Sequence, residues 1–243
     1  MKTKNKILLL ILCMTLVVMA SVFGTLAYFT ADDHVENTYT AGNIGLTLDE
    51  AKVNTDGTLV TDKTNRGQGN EYHLLPGRTY IKDPTVTVEE GSEEAYVRMI
   101  VKVRNINELE KAFPAGTYYA DLDGDTGNGD DFVLHQLLGN TWNYKEWHFA
   151  GYKEVTVEEG GANVVYGQYE FRHYETVKAK DEAKVLVPLF EKMVIPGEID
   201  NDHIAYLEDV KVDVYAHAMQ VAGFEGDEDL AWDKFDVQNA ANL

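Results

Sequence analysis

What most constrains this chain is a side-chain pattern of period two, which recurs in its middle and near its end. Val97, Met99, Val101 and Val103 alternate with Arg98, Lys102 and Arg104. Val210, Val212, Val214, Ala216 and Ala218 repeat the pattern against Lys211, Asp213 and His217. Tyr169, Phe171 and His173 alternate with Gln168, Glu170 and Arg172. Successive side chains of a strand point to opposite faces, so each run predicts a strand with one face in a core and one in water. On this reading Arg98, Lys102, Arg104, Lys211, Asp213 and His217 all point outward.

Shorter strands are predicted at 44–48, 85–88, 153–157 and 184–190, with Gly- and Asn-rich breaks at 65–70, 159–163 and Pro196-Gly197. Helical signals are few. Residues 131–138 bring Phe132, Val133, Gln136 and Leu137 towards one face ahead of Gly139; residues 107–113 end at Pro114. Residues 227–235 start acidic and then carry Leu230, Ala231, Trp232 and Phe235. Many strands with scattered short helices predict a mainly β fold, an antiparallel sandwich of jelly-roll type with short helices in loop insertions.

The first 27 residues read as an export signal. Lys2, Lys4 and Lys6 make a basic start, residues 7–23 carry no charge, and Gly24-Thr25-Leu26-Ala27 offers small residues at Thr25 and Ala27. A signal peptidase needs small side chains at those positions, which puts the cut between Ala27 and Tyr28. The apolar run of 17 residues is at the lower limit for spanning a bilayer. The expected organisation is a signal peptide at 1–27 and one β-sandwich domain at 28–243. The lone cysteine, Cys13, lies in the signal, so the mature chain has no disulfide. Its length buries a core without one.

The formal charge is −20, and loss of the three signal lysines takes the mature chain to −23. So acidic a surface repels phosphate backbones, which excludes nucleic acid as a partner.

Several stretches add a family resemblance. Gly24-Thr25-Leu26-Ala27-Tyr28-Phe29-Thr30 is similar to the processing site of Gram-positive exported proteins cut by a SipW-type signal peptidase. Residues 40–48, Leu75-Pro76-Gly77 before a strand, residues 95–103 and the closing 214–224 resemble the TasA and camelysin (CalY) biofilm-fibre proteins. Residues 105–165 have no counterpart in that resemblance and are expected as insertions. The resemblance implies a jelly-roll domain, secreted to the cell surface or biofilm matrix, that polymerises into fibres. Its partners would be copies of itself, the signal peptidase during export, and matrix or cell-wall components. Within the N-terminal strand segment at 28–48, residues 28–43 would be donated to the next subunit. Tyr28, Phe29, Val35 and Tyr39 are the side chains suited to fill a neighbour's groove.

Catalytic signatures are sparse. A zincin needs H-E-x-x-H, and none of His34, His73, His135, His148, His173, His203 and His217 has that spacing. No Gly-x-Ser-x-Gly elbow or phosphate loop occurs, and no cysteine nucleophile survives processing. The expectation is a non-enzyme with no required cofactor. The alternative functions are a surface adhesion or glycan-binding module and, behind it, a camelysin-like metallopeptidase.

Two clusters carry candidate ligands. Asp121, Asp123, Asp125 and Asp130 in a glycine-rich loop offer oxygens to calcium, although Thr126 and Phe132 break the EF-hand pattern. Trp142, Tyr144 and Trp147, with Phe149 and Tyr152 nearby, are flat rings of the kind that stack on sugars or pack inside a core.

Overall fold

The computed structural model describes residues 30–34, 36–38, 44–113, 132–139, 141–200, 202–207 and 210–239. Its strands are β1 (Thr30–His34), β2 (Glu36–Thr38), β3 (Leu46–Ala51), β4 (Arg66–Gly67), β5 (Thr79–Ile81), β6 (Thr85–Val88) and β7 (Ser92–Arg104). After them come β8 (Trp147–Glu159), β9 (Ala162–His173), β10 (Val177–Ala179), β11 (Lys184–Val185), β12 (Lys192–Val194) and β13 (Val212–Gln220). The helices are α1 (Ile106–Leu109), α2 (Phe132–Leu138) and α3 (Glu228–Gln238).

The main sheet runs in the order β2-β1-β13-β7-β9-β8, with β10 also on β7. A second sheet has the order β11-β6-β3-β4, and β12 pairs β5. All of these pairings are antiparallel. The mainly β antiparallel class is the one the alternation predicts. Jelly-roll connectivity is a finer expectation that this strand order does not establish.

Alternation explains the main core. Val97, Met99, Val101 and Val103 of β7, Ala216 and Ala218 of β13, and Tyr169 and Phe171 of β9 are buried on one face. There they join Leu46, Val86 and Val88 from the second sheet. Burial of such side chains contributes about 1.5–3 kcal/mol each.

The other face of the main sheet departs from expectation. Arg98 and His217, read as outward and wet, are only 1% and 2% exposed. The reason is α3. Asp227 caps it by accepting from the Leu230 backbone N–H at 3.0 Å, and Glu228 and Asp229 favour its first turn. The helix then lays Ala231, Trp232 and Phe235 on Tyr96 and Met219, with Phe224 completing a second cluster.

Part of the stretch expected as insertions belongs to the body of the fold. Val133, Leu134, Leu137 and Leu138 of α2 lie in the main core, and β8 and β9 are main-sheet strands. Gly160 and Gly161 join those two strands with φ of 58° and 87°, a conformation that side chains resist. The strand expected at 184–190 shortens to Lys184–Val185. Pro188 has no N–H for a ladder, and Leu186, Leu189 and Phe190 are buried in irregular chain instead.

Candidate functional site

The margin of the main sheet at β13 is where its construction is least complete. On one side β13 pairs β7 along its length, from Val212 opposite Val103 to Gln220 opposite Ala95. On the other side β1 pairs only its second half, Thr30 opposite Met219 through Asp33 opposite Ala216. Among the described residues, Val212 to Val214 have no strand partner on that side. Unpaired strand edges present backbone donors and acceptors ready for another strand.

A cleft of about 700 Å³ lies beside this open half, lined in part by Glu50, Tyr72, Leu74, Lys82, Met193 and Val212. An ion pair sits in its wall: Lys82 Nζ lies 2.9 Å from Glu50 Oε2, and both side chains are 8% exposed. The Lys82 ammonium is 5.8 Å from the centre of the Tyr72 ring. The Tyr72 hydroxyl donates to the Ile81 carbonyl at 3.0 Å, and burial, followed by the nearby Glu50 charge, raises its pKa. Behind this wall Arg66 donates to Asp49 at 2.6 Å, to Asp83 at 2.9 Å and to Thr85 at 2.7 Å. That fork ties β4 to β3 and holds the cleft in shape.

On the opposite face of β13 lies a buried polar centre. Arg98 Nε donates to His217 Nδ1 at 3.2 Å. The guanidinium also pairs with Glu170 at 3.3 Å and with Asp236 of α3. It lies 4.5 Å from the Trp232 ring centre and 4.9 Å from that of Phe235. The His217 ring stacks on Phe235 at 4.7 Å and 31°. A charge removed from water needs such partners, and here the aromatic faces and carboxylates supply them. Because Nδ1 accepts, the hydrogen-bond network assigns the ring proton to Nε2.

The residues singled out in the sequence fall differently. Ala27, Tyr28, Phe29, Val35 and Tyr39 lie outside the described residues, although β1 and β2 occupy the stretch between them. Asp121, Asp123, Asp125 and Asp130 lie outside them as well. The aromatic group divides. Trp147 is 0% exposed, donates to the Val187 carbonyl at 2.9 Å and meets His173 edge-on, so it has no face to offer a sugar. Trp142 packs edge-on against Phe171 at 5.3 Å, whereas Tyr144 is 61% exposed. Among the described residues, no three His, Cys, Asp or Glu side chains are placed to share a metal ion.

The Arg98–His217 and Glu50–Lys82 pairs were not flagged by sequence reasoning. The only signal for the first was an aromatic C-terminal helix that needed a landing face. No family model matches this chain, and no curated protein or solved structure matches it either.

Proposed function

We propose that this is an exported structural protein of the cell surface or biofilm matrix, which assembles by exchanging its N-terminal strand between copies. The observation that carries the reading is the seat of β1: a short strand near the start of the mature chain, laid on the half-covered margin of β13. The ladder contacts are the same whichever copy supplies the strand, so exchange costs little in contacts and is set by concentration and by the freedom of the terminus. A strand given forward by each copy and received from behind makes a head-to-tail contact that does not close, hence a filament. Cleavage before Tyr28 would free the donated end. The open half of β13 and its cleft would receive whatever part of the donor reaches beyond β1. The charge of the mature chain opposes close packing, so acid or salt favours assembly.

Residues 28–243 and residues 44–243, each concentrated and mildly acidified, are to be compared by electron microscopy and size-exclusion chromatography. Filaments from the longer protein alone are expected. Monomers from both would refute the reading.

A further inference from the structure

The backbone of β13 has two sides, and its pairing with β7 tells which groups face each. Arg104 N–H donates to the Lys211 carbonyl at 2.9 Å, and Val221 N–H to the Glu94 carbonyl at 2.9 Å. In an antiparallel ladder such bonds recur at every second residue, so the odd-numbered residues of β13 bond to β7. The even-numbered ones turn their N–H and C=O groups the other way. There Ala216 and Ala218 meet Asp33 and Ala31 of β1, whereas Val212 and Val214 meet no strand among the described residues.

The cleft continues under these two residues. A smaller cavity of about 110 Å³, with Leu48, Pro84 and Val214 in its wall, shares Glu50, Lys82 and Val212 with the larger one. The two are ends of one groove, with Leu48 and Pro84 at one end and Tyr72 and Leu74 at the other. Val212 and Val214 are half-buried and pack on the main core. A residue directly opposite either of them would share its face and point into the groove.

The chain's own continuation does not use this site. After His34 it turns back, and β2 lies on the outer edge of β1, with Asn37 opposite Asp33 and Thr38 opposite Asp32. We propose that Val212–Val214 and the groove beneath form an acceptor for a second copy of this chain, whose β2, straightened into line with β1, extends the β1 ladder. The proposal rests on the strand-exchange reading and adds its register. A second copy is the fitting partner because it brings the β1 that already seats on Ala216 to Met219. Continuing that pairing sets Glu36 opposite Asp213 and Asn37 opposite Val212, with position 35 opposite Val214. In the sequence positions 35 and 37 are valine and asparagine. An apolar residue thus comes to the Leu48 end, and a polar one to the end where the Lys82–Glu50 pair stands. Three pairings with β1 are given up, and three with β13 replace them.

Disulfide trapping on residues 28–243 tests this, since that stretch holds no cysteine of its own. Glu36 and Asp213 would form a pair without direct hydrogen bonds, with Cα atoms about 4.5 Å apart, inside disulfide range. Glu36→Cys and Asp213→Cys proteins are mixed, concentrated, mildly acidified and then oxidised, and linked pairs holding one of each are identified by mass. They should exceed by about tenfold those formed when Asn37→Cys replaces Glu36→Cys, because successive strand residues face opposite sides. Thr38→Cys with Lys211→Cys reads the same register and decides the matter if Asp213→Cys fails to fold. Equal linking by Asn37→Cys, or no link from either matched pair, would overturn the acceptor. So would a chain carrying both Glu36→Cys and Asp213→Cys that closes only on itself. Filaments without the matched links would sink the acceptor and spare the assembly reading. Matched links without filaments would do the reverse.

Discussion

The two margins of the main sheet solve the same problem in opposite ways. At one margin β8 is 13 residues long, has no further strand beyond it among the described residues, and carries Lys153, Glu154, Glu158 and Glu159. A register irregularity between Phe149 and Gly151 bends it, and a hairpin returns it to β9. Charge and a bulge make such an edge a poor template for another strand. At the other margin the short strands β1 and β2 close the sheet, and β13 depends on β1 for cover from Ala216 to Met219. The first edge is protected by its own side chains. The second is protected only while another segment sits on it, and what can be lifted off can also be replaced.

The largest expected effect is on the support of the β13 margin. Arg98→Ala leaves Asp236 and His217 without their partner and Trp232 and Phe235 without a cation, at a cost of about 3 kcal/mol. Chemical denaturation should show the loss, with Trp232 emission shifting before the rest of the sheet unfolds. Unchanged stability would mean that the β13 side owes nothing to this centre. A change at the other margin sharpens the contrast. Replacing Lys153 and Glu158 by Val should alter stability by less than about 0.5 kcal/mol. It should nevertheless produce association by size-exclusion chromatography even without residues 28–43. Continued monomers would show that charge is not what blunts β8.

The smallest effect concerns the tip of the β8–β9 hairpin. The Tyr166 hydroxyl, then Arg104 at 3.0 Å, hold the half-buried Glu159 carboxyl below its usual range. A depressed carboxyl contributes stability that is present above its unfolded value and lost as pH falls through the folded one. Exchange at 157–163 should therefore quicken slightly below about pH 4.5, with the β1 seat following its own course.

Much of this contrast was legible in sequence, and the reason lies in period two. Val97 to Val103 and Val212 to Ala218 announce strands because one face of each must meet a core. Thr85–Val88 is the strand the sequence indicates, and α3 forms in the stretch whose acidic start at residue 227 marks it. The same rule misplaced Arg98 and His217, because alternation assumes that the second face is wet. A covering helix more than a hundred residues from Arg98 removes that assumption without altering the local pattern. The Glu50–Lys82 pair joins positions 32 residues apart, and no fixed spacing marks such a contact. The dense aromatics at 142–152 gave no warning that Trp147 would turn inward while Tyr144 stayed out, since the turn between them reverses the chain.

The pairing of Thr30 with Met219 has a consequence in time as well as in space. A chain made from its N-terminus presents β1 first and β13 almost last, so the first strand waits for nearly the whole sequence before its seat exists. Contacts this distant in sequence form late and slowly. During that interval β1 has no seat of its own, and a finished β13 on a neighbouring copy can take it first.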